Sequence, residues 1–182
     1  LKFTIFDKVD RRLHIQADLT QAKISIPALG WTKAKGAKGQ ADFTLNFAKD
    51  LVVGVPKFSV GAGDLSVVGA AKYALDGSGL ERIDFKKVAY GRTNMSGSLI
   101  PRSDGTWDAG FQGDSFDFSP QWKDVLSQLS SGDESSETLL DRLTLAVELK
   151  KVWLEDHMAL YDVSGTFARV GEIWRTVLLK SR

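Results

Sequence analysis

Arg142-Leu143-Thr144-Leu145-Ala146-Val147-Glu148-Leu149-Lys150 sets leucine or valine at every second position, against arginine, threonine, glutamate and lysine. Successive side chains of an extended chain point to opposite sides, so this stretch reads as a strand with one apolar and one wetted face. The same period runs through Leu13, Ile15, Ala17 and Leu19, set against Arg12, His14, Gln16 and Asp18. It continues through Phe43, Leu45 and Phe47, and through Leu65, Val67, Gly69, Ala71, Tyr73 and Leu75. Met95, Gly97 and Leu99, then Trp107, Ala109 and Phe111, repeat it. Alternation of this kind predicts a mainly β chain.

Turn residues separate the segments: Gly36 to Gly39, Asp76-Gly77-Ser78-Gly79 and Ser103-Asp104-Gly105. Such residues supply the positive φ of tight connections, and short connections favour antiparallel neighbours. The expectation is an antiparallel meander forming a curved, elongated sheet. One short amphipathic helix interrupts it over about 120–129: Ser119 reads as its N-cap, Pro120 as its first turn, and Trp122, Val125, Leu126 and Leu129 as its apolar stripe. Covering one open end of the sheet is the use expected of that helix; lying on a membrane or a partner is the alternative. The chain therefore divides into a β block over 1–129, an acidic mobile loop over 130–141, and strands over 142–182 that continue the sheet.

The 182 residues suit one domain with a sizeable core, and 24 Lys+Arg against 23 Asp+Glu give no bulk pull towards nucleic acid. The absence of cysteine removes disulfides, thiol catalysis and thiolate metal sites. No run approaches the roughly 18 apolar residues of a membrane span. A start at Leu1, already within a strand-like pattern, reads as a piece of a longer protein.

No catalytic centre is read from the residues. His14 lies on a polar strand face and His157 in a Glu155-Asp156-His157 turn, without the spacing of a metal site or a nucleophilic triad. Gly61-Ala62-Gly63-Asp64 and the Gly77/Gly79 pair lack the lysine and helix of a phosphate loop and read as hairpin turns. Asn94-Met95-Ser96 matches a glycosylation sequon, a frequent chance occurrence. Lys33, Lys35 and Lys38 beside Trp31 read as a solvated basic hairpin tip with the tryptophan packed beneath it; contact with anionic head groups is the other reading. Neither enzyme activity, metal nor cofactor is expected.

One helix is little cover for so many apolar strand faces. The sheet either packs on itself or stays open as an apolar trough. Gly69, Gly97 and Gly165 sit mid-strand, in phase with the apolar positions, and hint at a repeated β unit.

A resemblance bears on that choice. Asp18-Leu19-Thr20-Gln21-Ala22, Ile26 to Lys33 with Gly36, Gly63 to Gly69, Asp76-Gly77, Gly79-Leu80, Asp104 to Trp107, Phe116 to Pro120, Leu145 to Leu149 and Asp162 to Gly165 follow one another in an order that resembles AsmA-like proteins of Gram-negative envelopes, the YhdP-type branch especially. The resemblance implies a periplasmic section of a longer protein, anchored in the inner membrane by a segment outside this chain. Its β-groove would carry phospholipid acyl chains between membranes and support outer-membrane integrity. The mid-strand glycines would then help the sheet curve or let a tail lie close. By strand phase, the candidate lipid-lining residues are Leu65, Val67, Met95, Leu99, Phe111, Leu143, Leu145, Val147 and Leu149. The alternative is a structural scaffold or docking module of the envelope that holds no lipid. Exposed strand edges at the cut ends of such a piece add the expectation of self-association, which the full-length protein would not share.

Overall fold

A computed structural model describes residues 2–6, 12–48, 50–122, 142–170 and 173–182. Eleven of its strands form one open sheet. In chain order, β1 (Lys2–Phe6), β2 (Arg12–Asp18), β3 (Ile24–Ile26), β4 (Trp31–Lys33), β5 (Gly39–Ala48), β6 (Leu51–Ala62) and β7 (Leu65–Tyr73) come first. They are followed by β8 (Leu80–Tyr90), β9 (Thr93–Pro101), β10 (Trp107–Asp117), β11 (Arg142–Trp153), β12 (Ala159–Val170) and β13 (Ile173–Lys180). The sheet runs β1-β2-β5-β6-β7-β8-β9-β10-β11-β12-β13, while β3 and β4 make a separate small hairpin. It is the curved, mainly β architecture that the alternation predicts, and its turns use positive φ at Gly36, Gly77, Gly79 and Gly105.

One pairing departs from the meander. β10 and β11 run parallel, Trp107 opposite Leu143 through Asp117 opposite Trp153. A parallel pair needs a crossover of a dozen or more residues, and residues 118–141 supply the length. Of the expected helix, 119–122 are described as helical, and the rest of its apolar stripe lies outside the described residues, as does the acidic segment 130–141. Ser119 is not the cap but the first helical residue. The Phe118 carbonyl accepts the first helical bond, from the Trp122 amide at 2.8 Å. The Ser119 amide instead donates to the Asp117 carboxylate at 3.1 Å.

Directly opposed residues of neighbouring strands share a face. A single row therefore crosses the sheet through Ile15, Phe43, Phe58, Gly69, Phe85, Gly97, Phe111, Val147, Gly165 and Leu179. A parallel row, Ala71, Ile83, Leu99, Ala109, Leu145 and Phe167, lies one step away on the same face. On the other side of the first run Val67, Val88, Met95, Gly113, Leu149 and Val163.

Burial is uneven along that face. The compact core comprises Trp31, Ala62, Leu65, Val88, Tyr90, Met95, Leu149, Val152 and Val163. It gathers along one long side of the sheet, where the β3–β4 hairpin and its 3-10 turn Pro27–Leu29 fold over the strand ends. Trp31, 6% exposed, is pinned there by its indole N–H, which donates to Asp64 at 2.9 Å. Gly30 sits at φ +59 against Pro120, too close for any side chain, which joins the hairpin to the start of the helix.

A half-covered apolar face

The phase-predicted lining residues all fall on the apolar face, but the hairpin cover divides them. Leu65, Met95 and Leu149 are buried core, and Val67, Phe111 and Val147 pack partly buried against it. Leu99, Leu143 and Leu145 lie clear of the cover and are half-buried. Ile15, Phe43, Phe58, Ile83, Phe85 and Phe167 are half-buried as well. Among the described residues no second layer lies over them. The molecule thus offers an apolar floor running across the strands, bounded along one side by the hairpin.

That floor has an aromatic spine which strand phase alone misses. Phe58 meets Phe85 edge-on, with centroids 6.2 Å apart, and Phe85 stacks on Phe111 at 6.3 Å. The three rings stand two strands apart, and the strands between contribute Gly69 and Gly97. A β-carbon on Gly69 would come 2.5 Å from Phe58 Cζ, and one on Gly97 would come 3.0 Å from Phe111 Cε1. On Gly165 it would come 3.0 Å from Phe167 Cε2. The mid-strand glycines are therefore roofed by phenylalanine rings of this chain, and the space expected for a lipid tail at these positions is already filled. Aromatic rings lying over strand glycines restore the packing that the missing side chain forfeits.

The opposite face is polar. His14 Nε2 lies 3.2 Å from an Asp42 oxygen, and Gln16 donates to the same carboxylate at 3.1 Å. Lys150 and Asn94 both reach Asp114, at 2.7 and 3.3 Å. A shallow trough of 960 Å³ opens on this face over β8–β13, floored by Ser98, Gly110, Ala146 and Thr166. His157 is exposed in the turn between β11 and β12. Among the described residues no three His, Asp or Glu side chains are placed to share a metal ion.

The basic residues near Trp31 form the expected solvated tip only in part, over a buried tryptophan. Lys35 and Lys38 are exposed, but Lys33 is 2% exposed. Its ammonium donates to the carbonyls of Ala22, Ala34 and Thr20 at 2.8, 3.2 and 3.3 Å, so it is closed off from head groups. An ammonium has three donors, and here each has an acceptor.

A second, partly buried polar knot ties the covered side to the helix. Arg92 grips Asp117 through two bonds, at 2.9 and 3.1 Å, and also reaches Ser119 Oγ at 3.2 Å. Its guanidinium lies 4.7 Å from the Trp153 ring centre, with Lys151 Nζ 3.4 Å from the same centre. Burial pushes the Asp117 pKa up, but the bonds from Arg92 and from the Ser119 hydroxyl and amide outweigh it and leave the carboxyl below its usual value. Asp64 is likewise lowered, first by the Trp31 indole.

Comparison with protein-family models, curated proteins and solved structures returned no match.

The acidic pair carries a consequence for stability. A carboxyl whose folded pKa is depressed binds its proton sooner in the unfolded chain, so its contribution is present above the ordinary carboxylate pKa of about 3.9 and is lost as pH falls through the folded value. Acid titration of the unfolding midpoint is therefore expected to show a steep loss of stability below about pH 4. Asp117→Asn should start less stable at neutral pH and show a flatter acid limb. An unchanged limb in the variant would remove Asp117 from the account.

Proposed function

We propose that this chain holds phospholipid acyl chains against the uncovered half of its apolar face, as a periplasmic section of an envelope protein whose inner-membrane anchor lies outside the chain. Passage of lipid between inner and outer membranes, and through it outer-membrane integrity, is the activity proposed for the whole protein. The observation that carries the reading is the continuous apolar floor over β2–β12, with large side chains left half-exposed and no covering layer among the described residues. The order of short motifs that resembles AsmA-like proteins supports the same direction.

Physical chemistry makes such a floor sufficient. Removing a methylene from water gains roughly 0.8 kcal/mol, so ten methylenes laid on it gain about 8 kcal/mol without any specific polar contact. Selection would then rest on tail length and on the phenylalanine spine, with the head group left at the solvated margin.

The test is direct. The chain is incubated with phospholipid vesicles, repurified, and measured by native mass spectrometry and by organic extraction. Phospholipid should be recovered in near-stoichiometric amount. Repeated recovery of bare protein would leave the scaffold reading, in which the same face is covered by another protein.

A further inference from the structure

Residues 19–39 leave the main sheet and return to it at a single neck, where the Leu19 amide donates to the Gly39 carbonyl at 2.8 Å. Between those ends the excursion holds itself together. β3 and β4 pair with each other and with no strand of the main sheet. The Ser25 and Thr32 hydroxyls lie 3.1 Å apart, and the Gly36 amide donates to the Thr20 carbonyl at 2.8 Å. All three acceptors of the Lys33 ammonium belong to the same stretch. Among the described residues no backbone hydrogen bond runs from 20–37 to the main sheet.

What holds the excursion down is of another kind. Ile24, Ile26 and Leu29 pack against the core cluster to which Trp31 belongs. The Trp31 indole donates to Asp64, and Gly30 lies flat against Pro120. Asp64 keeps its place without the indole, because its other oxygen accepts the Gly91 amide at 3.0 Å. Beside the neck, the Gly63 amide donates to the Lys38 carbonyl at 2.9 Å. Lifting the excursion therefore breaks the indole bond and an apolar contact, but no strand pairing.

We propose that residues 19–39 are a hinged cover that swings off the main sheet as one body about the Leu19–Gly39 neck, uncovering the strip around Leu65 and Tyr90 and lengthening the apolar floor. The latch places that strip, since Asp64 precedes Leu65 and Gly91 follows Tyr90. Opening apolar surface to water is unfavourable, so the covered form dominates in the free chain. An acyl chain on the floor can replace the apolar residues of the cover, and a ligand that binds one form better shifts the population towards it. That last step rests on the lipid reading; the hinged opening does not.

The chain contains no cysteine, so one introduced thiol is an unambiguous reporter. Leu65 is 4% exposed within the covered cluster, and Val55 is 8% exposed outside it. A thiol reagent should modify Leu65→Cys at least about tenfold faster than Val55→Cys, with little dependence on urea, because swinging the cover exposes little surface. Val55→Cys should instead follow the urea slope of global unfolding. Trp31→Phe removes the indole donor, and Gly30→Ala sets a β-carbon 2.5 Å from Pro120 Cβ in the closed form. Each should speed Leu65→Cys roughly fivefold to tenfold without changing its slope. The Lys33 cage reads whether the cover moves whole: an amine-acylating reagent should reach Lys33 only with global unfolding, while exposed Lys35 reacts at once. In the unsubstituted chain, the Trp31 indole N–H should exchange with solvent hydrogen at the opening rate.

Leu65→Cys modified only along the slope of global unfolding overturns the proposal, as does a Trp31 indole N–H that exchanges only by that route. Lys33 acylated as fast as Leu65→Cys is modified would show a cover that melts rather than swings, and overturns it too. Trp31→Phe should also take up phosphatidylcholine from vesicles faster than the unsubstituted chain. Equal uptake beside faster thiol modification would detach the cover from lipid binding. No uptake by either chain would refute the lipid reading and leave the hinge standing.

Discussion

Lys33→Met is expected to lower the thermal midpoint of this chain by about 6–12 °C, equivalent to roughly 3 kcal/mol at the 2–4 °C per kcal/mol usual for its size. Among the described residues the ammonium forms no ion pair, although the Asp18 carboxylate is near enough to feel its charge. It is held by the carbonyls of Thr20, Ala22 and Ala34, which arrive from the two connections flanking the β3–β4 hairpin. Methionine keeps most of the stem's volume but takes one donor from each carbonyl: Thr20 and Ala34 keep the Gly36 and Ala37 amides, at 2.8 and 3.3 Å, and Ala22 loses the ammonium that it accepts from. A hydrogen bond to a charged group contributes about 1.5–3 kcal/mol, and losing three of them outweighs the relief of no longer burying a charge. The damage should spread to Trp31, since the same hairpin positions the indole that donates to Asp64. Lys35→Met, at an exposed position, supplies the comparison and should leave the midpoint within about 1 °C, as surface changes away from such contacts usually do. Equal midpoints for the two variants would show that the carbonyl cage carries no stability.

The strands with uninterrupted alternation were legible from residues alone, and β11 is the clearest of them. β6 and β8 were not, because each contains a bulge that breaks the period. Val55 and Phe58, and again Phe85 and Val88, lie on the apolar face three residues apart, at positions where the pairing shifts register. Two members of the phenylalanine spine stand beside those shifts, so a reading by twos passes over them. Pro56 was the available signal, since proline inside a strand marks a bulge or an edge. The roofing of Gly69 and Gly97 was illegible for a different reason: it depends on which residue of the next strand stands opposite, and alternation says nothing of register. Lys33 shows the same limit. Its charge is visible in the sequence, but the carbonyls that surround it are brought together by the turn that begins at Asp18, whose carboxylate accepts the Thr20 amide at 2.8 Å. The parallel pairing of β10 with β11 was illegible too, because residues 118–141, which separate the two strands in sequence, carry no alternation from which to infer it.

Leu145→Glu should cut phospholipid recovery by at least about tenfold, while Leu149→Glu should unfold the chain. The two leucines lie on the same strand and the same face, four residues apart, and strand phase treats them alike. Their surroundings do not. Leu149 is 4% exposed beneath the hairpin cover, packed with the buried core. A carboxylate there has no partner, and the several kcal/mol needed to strip its water are comparable with the whole stability of a domain, typically about 5–15 kcal/mol. Leu145 is half-buried on the uncovered floor, where a glutamate can turn its carboxylate to water. The folding cost at that site should stay near 1 kcal/mol, the centre of the usual range for a point change. For an acyl chain lying on the same floor, the change withdraws two or three methylene contacts at about 0.8 kcal/mol each and demands that a carboxylate be covered. Since every 1.4 kcal/mol is tenfold in affinity, the combined loss exceeds one decade. Circular dichroism together with extraction of bound lipid reads both effects on one preparation. A folded Leu145→Glu protein that still carries lipid would show that acyl chains do not lie on this part of the sheet. Unfolding of both variants would show that the floor is covered in the folded molecule, and would withdraw the site on which the lipid reading depends.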